Sequence, residues 1–312
     1  MDINRYFPSY SVEHKHLIKL SEYTTEDIFE VLHATKVMKA KFLAHEDTRI
    51  LKNVTIALLF ADTSLRTRSA LEIGVRQLGG VCVNLPYSEK DMRAGENIED
   101  IVNVISRYGV GAIVTHGIKQ KEIEKFCAAS SIPIINSNNE LSVPIQTFTD
   151  LFTIWEKRGT LEGLKVAYVG KVTSNSHTLM MGAIKCGMDV AVSAPIEFSV
   201  ERDILNMIRQ YGHVTVTDDP IEAVKGADIV YTDSYTYHSA FSESDKEILK
   251  PYRVNAALMA NANLGANFMH SLPASRGVEV TADVIDGKNS LVLDQGENKL
   301  HTVKAILAML VK

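Results

Sequence analysis

The stretch TSLRTR, residues 63–68, lies between the apolar run VTIALLF and the helix-like SALEIGVRQLGG. A helix that starts at the end of a strand presents N–H groups without intrahelical partners and the positive end of its dipole. Hydroxyls and guanidinium forks placed there complete an anion site. Two arginines, two threonines and a serine in six residues therefore point to phosphate as the guest. Arginines at a helix N-terminus oppose the dipole unless an anion is present, which weighs against Arg66 and Arg68 as mere caps. A Walker sequence and a G-x-G-x-x-G turn are both absent, so nucleotide kinase and dehydrogenase chemistry are disfavoured. The ten histidines have no metal-like spacing, and no metal or other cofactor is expected.

These residues need a frame, and the chain supplies one. Short β-branched runs alternate with helical periods: VTIALLF, VCVNL, GAIVT and IPIIN in the first half, then KVAYVG, DVAVSA, HVTVT, ADIVYT and NFMHS in the second. Such alternation predicts βαβ units, hence an α/β protein of two doubly wound domains with parallel sheets covered on both faces. Leu71, Gly74, Val75 and Leu78 recur at i, i+3, i+4, i+7, with Gly79-Gly80 to end that helix, and Ile98, Ile101, Val102 and Ile105 repeat the pattern. A helix starting near Pro144 and a charged, Gly-containing stretch at 156–163 place a domain boundary at 157/158. Residues 1–157 then form one domain and 158–295 the other, with a C-terminal helix at 296–312 expected to return to the first.

At 312 residues the chain has room for two cores. Its 46% hydrophobic and 23% charged residues are those of an ordinary globular protein. A net charge of −5 without a Lys/Arg block argues against nucleic acid or an acidic membrane as partner and leaves small molecules. Cys82, Cys127 and Cys186 are odd in number and sit in apolar segments, as free thiols of a reducing compartment do. The N-terminus lacks a basic region followed by an apolar stretch, and no run approaches membrane-spanning length, so a cytoplasmic location is expected.

SLRTR followed by EIG, then FMHSLPASRGVEVT and DQGENKLH, in this order and spacing, resemble the aspartate/ornithine carbamoyltransferase family over nearly the whole chain. The C-terminal half is most similar to the ornithine and putrescine branch. The resemblance implies a carbamoyl-phosphate domain followed by an acceptor-amine domain, and a homotrimer with active sites between subunits. It makes Ser64, Leu65, Arg66 and Thr67 the phosphate ligands, Leu65 through its backbone N–H. In PYSEKDMRAGENIED the family supplies a loop reaching the neighbouring subunit's site, which makes Ser88, Lys90 and Arg93 candidates there, against a plain charged surface loop.

Several positions depart from the family pattern. An arginine usual at the end of the third strand is His116 or Thr115 here, and His-Pro-x-Gln at the linking helix reads VPIQ, so that Val143 replaces the histidine and Gln146 remains. His116 offers one hydrogen bond where arginine offers a fork, or it is a loop histidine without a role. Gln146 is a carbonyl ligand or a helix-surface residue. The loop after YVG carries Lys171 in place of an acid, with Asn175 displaced by two positions. The later loop reads DSYTYHS, keeping Asp233 and placing Tyr237 and His238 where serine and methionine are usual. In the His-Cys-Leu-Pro motif, Ser271 replaces cysteine between His270 and Leu272, and Lys299 stands for an arginine.

Asp233 is the candidate for holding a cationic amine, because a strand-end carboxylate at an α/β crevice is placed for it, with a helix N-cap as the alternative. His270 shapes the reacting loop or is a buried structural histidine. Arg276 and Glu279 make a domain-positioning ion pair or a solvated face. The expected activity is transfer of a carbamoyl group from carbamoyl phosphate to an ornithine-like or other small amine. The alternatives are the same fold with another acyl or phosphate donor, and a catalytically inactive regulatory paralogue.

Overall fold

The computed structural model describes residues 14–87, 97–236 and 241–311. In it the β-branched runs become strands β1 (Thr55–Phe60), β2 (Val81–Pro86), β3 (Val110–His116), β4 (Ile134–Asn138), β5 (Lys165–Val169), β6 (Asp189–Ser193), β7 (Val214–Thr217), β8 (Ile229–Thr232) and β9 (Asn267–His270). Their spatial orders are β2-β1-β3-β4 in one sheet and β7-β6-β5-β8-β9 in the other. Every pairing is parallel, with the register Phe60↔His116 between β1 and β3 and Tyr168↔Tyr231 between β5 and β8. This is the two-sheet α/β architecture that the alternating pattern predicts.

The chain divides into two compact units, Met1–Phe152 with Glu297–Lys312, and Thr153–Gly296. The division falls within the helices Pro144–Arg158 and Val292–Leu310. In the first unit, Ala57, Leu59, Ile113, Phe126 and Ile134 pack with Val102 into one core. In the second, Ala167, Val169, Val230, Phe268 and Val280 do so with Val224. Helix Leu65–Gln77 buries Leu71, Gly74 and Val75, and it ends at Gly79, whose φ of 87° accommodates the reversal. Among the described residues, no helix is long and apolar enough to cross a membrane.

Strand order matters most for function. The chain steps outward from β1 to β2, then returns to place β3 on the other side of β1. The second sheet repeats this, with β6 and β7 on one side of β5 and β8 on the other. In open α/β sheets, ligands bind beyond the carboxyl ends of strands at such reversal points. The reversal points here are the ends of β1 and β3, and of β5 and β8. Phe60 leads into TSLRTR and His116 closes β3; Val169 leads into the 170–175 loop and Thr232 into Asp233.

Candidate functional site

In the first unit, helix Leu65–Gln77 begins with Ser64 as N-cap, φ −108° and ψ 92°, and the Ser64 side chain makes no capping bond. The first intrahelical bond runs from Arg68 N–H to the Ser64 carbonyl at 2.9 Å, so the N–H groups of Leu65, Arg66 and Thr67 lie ahead of the helical ladder. No acidic residue occupies the first turn. Ser64 and Thr67 are buried, Arg66 is half-buried, and Leu65 is 78% exposed, consistent with a contribution through its backbone alone. The Arg68 guanidinium lies 5.1 Å from the centre of the Phe60 ring. An uncapped, acid-free helix start rimmed by a guanidinium and hydroxyls suits a dianionic phosphate.

His116 stands at the same sheet edge, buried, with its ring stacked on Phe60 at 4.9 Å and an interplanar angle of 20°. Its Nδ1 is 2.7 Å from Ser137 Oγ, and its Nε2 is 3.3 Å from Asp62 Oδ1. It is a buried, bonded strand-end residue, not a loop histidine. Gln146 follows β4 in the first turn of helix Pro144–Arg158, where it is buried and donates from Nε2 to Asp150 Oδ1 at 2.7 Å. The helix-surface reading of Gln146 is therefore set aside.

In the second unit, Asp233 follows β8 and is 5% exposed. Its Oδ2 accepts from Thr173 Oγ1 at 3.1 Å and from Asn175 Nδ2 at 3.2 Å. Its Oδ1 accepts from Ser271 Oγ at 2.5 Å and from Ser234 N–H at 2.9 Å. Asp233 thus binds the turns after β5, β8 and β9 together, and among the described residues it caps no helix. Asn175 also donates to Tyr231 Oη at 3.2 Å. Thr173 and Ser176 form a reciprocal capping box that starts helix Ser174–Lys185, which fixes where Asn175 points. Tyr168 donates to the Lys171 carbonyl at 2.5 Å; burial, then the Asp233 charge, raises its phenol well above the usual range and keeps it a donor. Burial lowers the Lys171 ammonium, with Asp245 opposing.

His270 ends β9 fully buried, with Nδ1 accepting from Leu272 N–H at 2.8 Å. The ring proton is accordingly on Nε2, which lies 3.5 Å from Glu279 Oε1. Glu279 is fully buried and also accepts from Ser275 N–H. Leu272 has φ 52° and precedes a cis peptide bond to Pro273. Arg276 forms its ion pair with Asp286, Nε to Oδ2 at 2.9 Å, so the expected Arg276–Glu279 pair is not made: Glu279 faces His270 instead.

Ser64, Leu65, Arg66, Thr67, His116 and Gln146 thus gather at the carboxyl edge of the first sheet. Asn175, Asp233, His270, Ser271 and Leu272 gather at that of the second. Lys299 is half-buried on helix Val292–Leu310. Ser88, Lys90, Arg93 and His238 lie outside the described residues. Sequence reasoning missed Asp62, Ser137, Thr173 and Tyr231. Of these, Thr173 alone had a local signal, its capping-box spacing to Ser176; the others act across strands.

Comparison with known proteins identifies the family. Residues 15–156 match the family model for the aspartate/ornithine carbamoyltransferase carbamoyl-P binding domain, and residues 162–310 that for the Asp/Orn binding domain. The ornithine carbamoyltransferase of Pyrococcus abyssi is 38% identical over 307 residues, covering 96% of each chain. The solved structure of ornithine carbamoyltransferase from Pyrococcus furiosus aligns with a TM-score of 0.91 at 38% identity, covering 95% of this chain and 96% of that one. That of ornithine carbamoyltransferase from Burkholderia thailandensis aligns at 0.87 with 35% identity, covering 96% and 99%.

Proposed function

The chain belongs to the aspartate/ornithine carbamoyltransferase family, and from that premise we propose that it transfers the carbamoyl group of carbamoyl phosphate to one amine of ornithine or an ornithine-like acceptor. The observation that carries this reading is a matched pair of strand-end sites. An uncapped, acid-free helix start with Arg66 stands at the reversal point of one sheet, and a buried carboxylate stands at that of the other. The first suits the anionic donor and the second a cationic acceptor. The relatives named above are carbamoyltransferases, so a different donor or an inactive paralogue is not carried forward.

Chemistry assigns the roles. A neutral amine attacks the carbonyl carbon, a C–N bond forms, the tetrahedral oxyanion collapses, the C–O bond to phosphate breaks, and the amine's proton passes to the departing phosphate. Ser64, the Leu65 N–H, Arg66 and Thr67 hold the phosphate and stabilise it as leaving group. His116 and Gln146 face the carbonyl oxygen, where preorganised donors carry much of the rate. Because the attacking amine must be neutral, the cation that Asp233 holds is the acceptor's other amine, with Asn175, Ser271 and Leu272 shaping that pocket and His270 fixing the loop. A homotrimer and a cytoplasmic location complete the proposal, the latter supported by Cys82, Cys127 and Cys186 being free thiols.

The test is product formation from carbamoyl phosphate labelled in its carbamoyl group, across ornithine, putrescine, diaminopropionate, lysine, acylated ornithines and aspartate, with Arg66→Ala alongside. Carbamoylated product from a diamine or diamino acid, lost in the variant, is expected. Silence across the panel refutes the proposal.

A further inference from the structure

The carboxyl edge of the first sheet holds a second polar group, His116, beside the Ser64–Thr67 turn. His116 is paired in register with Phe60, and its carbonyl accepts from Ala61 N–H at 2.9 Å, which ties it to the loop leading to Ser64. Its protonation follows from a chain of donors. Ser137 donates its hydroxyl proton to the Thr115 carbonyl at 2.7 Å. A hydroxyl has one proton to give, so at the 2.7 Å contact with His116 it accepts, and Nδ1 carries a hydrogen. At the other nitrogen, Asp62 Oδ1 is 3.3 Å away. A carboxylate only accepts, so a bare Nε2 lone pair would face oxygen lone pairs, whereas a protonated Nε2 makes an ion pair. With one hydrogen fixed on Nδ1, a second on Nε2 makes the ring a cation, the form that faces Asp62 without lone-pair repulsion.

Asp62 comes from the loop after β1. Arg68 comes from the following helix, with its guanidinium over the Phe60 ring on which His116 stacks. From β4 comes the neutral hydroxyl of Ser137. Nε2 is buried, and Asp62, 3.3 Å away with a side chain 48% exposed and making no hydrogen bond to it, is a charge neighbour whose displacement opens Nε2 to an incoming oxygen.

We propose that His116 serves here as an imidazolium, oriented by Ser137 and kept charged by Asp62, that donates from Nε2 to the carbonyl oxygen of the donor bound in the Ser64–Thr67 turn. This deepens the carbamoyl-phosphate reading and rests on it. The position gains a pH dependence that an arginine lacks: imidazolium loses its proton across roughly pH 6–8, whereas guanidinium keeps it. Recognition of the carbonyl therefore fades as pH rises, while recognition of the phosphate persists. Ser137 and Asp62 are positioning residues.

Two probes separate carbonyl from phosphate: phosphonoacetamide, with an amide carbonyl beside a phosphonate, and methylphosphonate, without one. Their dissociation constants are measured by calorimetry from about pH 5.5 to 8.5 around the imidazole range. In the wild-type chain the preference for phosphonoacetamide is expected to be on the order of 10-fold or more at the acid end, as for one charge-assisted hydrogen bond, and to fall towards parity at the alkaline end. His116→Arg keeps the preference flat, which also controls for ionisation of the phosphonates. Asp62→Asn and Ser137→Ala move the midpoint to lower pH. Proton-resolved NMR of histidine-labelled wild type, with both His116 nitrogens protonated near neutral pH, requires no variant to fold. Failure of both probes to bind at any pH overturns the donor reading, and this one with it. Binding of both with a preference flat in pH, or a neutral His116 by NMR, overturns this one alone.

Discussion

Gly170→Ala should collapse the acceptor side of the molecule while sparing the donor side. Gly170 follows β5 with φ 112°, a region L residues avoid. A Cβ there would lie 2.2 Å from Tyr235 Oη, 2.6 Å from its Cε1 and 2.7 Å from its Cζ. Tyr235 is 1% exposed and donates to the Tyr252 carbonyl at 3.2 Å, so it has little room to retreat. Backbone strain costs about 1–3 kcal/mol, overpacking about 1–3, and a stranded buried hydroxyl about 1–3, roughly 3–9 in all. Even the lower end is large against a typical stability of about 5–15 kcal/mol.

Urea unfolding followed by circular dichroism, with Tyr235→Ala and the double variant, measures this as a cycle. Tyr235→Ala removes all three contacted atoms, so in its background Gly170→Ala should cost only the backbone strain of about 1–3 kcal/mol. Full additivity would show that the clash is not the cause. The functional arm is read at a temperature where the variant stays folded. Gly170 begins the turn carrying Thr173 and Asn175, and Tyr235 lies two residues past Asp233, so acceptor binding should weaken while phosphate binding by the Ser64–Thr67 turn is unchanged. A loss below about 1 kcal/mol, an ordinary surface value, refutes the reasoning.

Two further outcomes follow from titratable groups that burial holds towards their neutral forms. Burial lowers His177 from 6.5 to about 4, and burial with the Lys15 charge lowers His16 likewise, its Nδ1 accepting from Ile134 N–H at 3.0 Å. The unfolded chain takes up these protons near 6.5 while the folded one refuses them until about 4, so stability is full above 6.5 and drains between the two values. Thermal melts across that window should fall less steeply for His177→Leu than for wild type, and an unchanged slope excludes His177 as a contributor. Lys304 is 1% exposed, with Nζ 3.1 Å from Gln77 Oε1 and over the Phe42 ring, and burial lowers its ammonium. Lys304→Met should be neutral or stabilising by up to about 1–4 kcal/mol, as apolar replacements of buried charges often are, and a melting temperature several degrees lower contradicts this.

The strands were legible because their signal is local. VTIALLF and ADIVYT announce themselves by β-branched composition, and the parallel sheets follow from the helices between them. Helix ends were legible for the same reason: Gly79 sits where a positive φ is needed, and Pro144 opens its helix. The reversal of strand order at β1/β3 and β5/β8 was legible only as the doubly wound class, since nothing in β3 itself states on which side of β1 it will pair. Yet that reversal is what sets TSLRTR and Asp233 at the strand ends where the proposed sites lie.

Inside each site, residue types were legible and residue states were not. Asp233 reads as a lone strand-end acid, but its charge is divided among Ser234 next to it, Asn175 and Thr173 on the β5 side, and Ser271, 38 residues away. Such a carboxylate has about four lone-pair sites and four donors already on them, so an incoming ammonium must displace a hydroxyl of Thr173 or Ser271 instead of meeting an empty oxygen. On the proposed acceptor reading, preference then depends on how readily those hydroxyls rotate, which the presence of an aspartate does not reveal. His116 obeys the same logic. As a letter in the sequence it is a weaker donor than arginine. Beside Ser137, 21 residues away, whose one proton is committed to Thr115, it has a hydrogen fixed on Nδ1, and Asp62 sets a carboxylate opposite Nε2. A substitution that looks like a loss at one position is therefore judged by the partners that the fold brings to it.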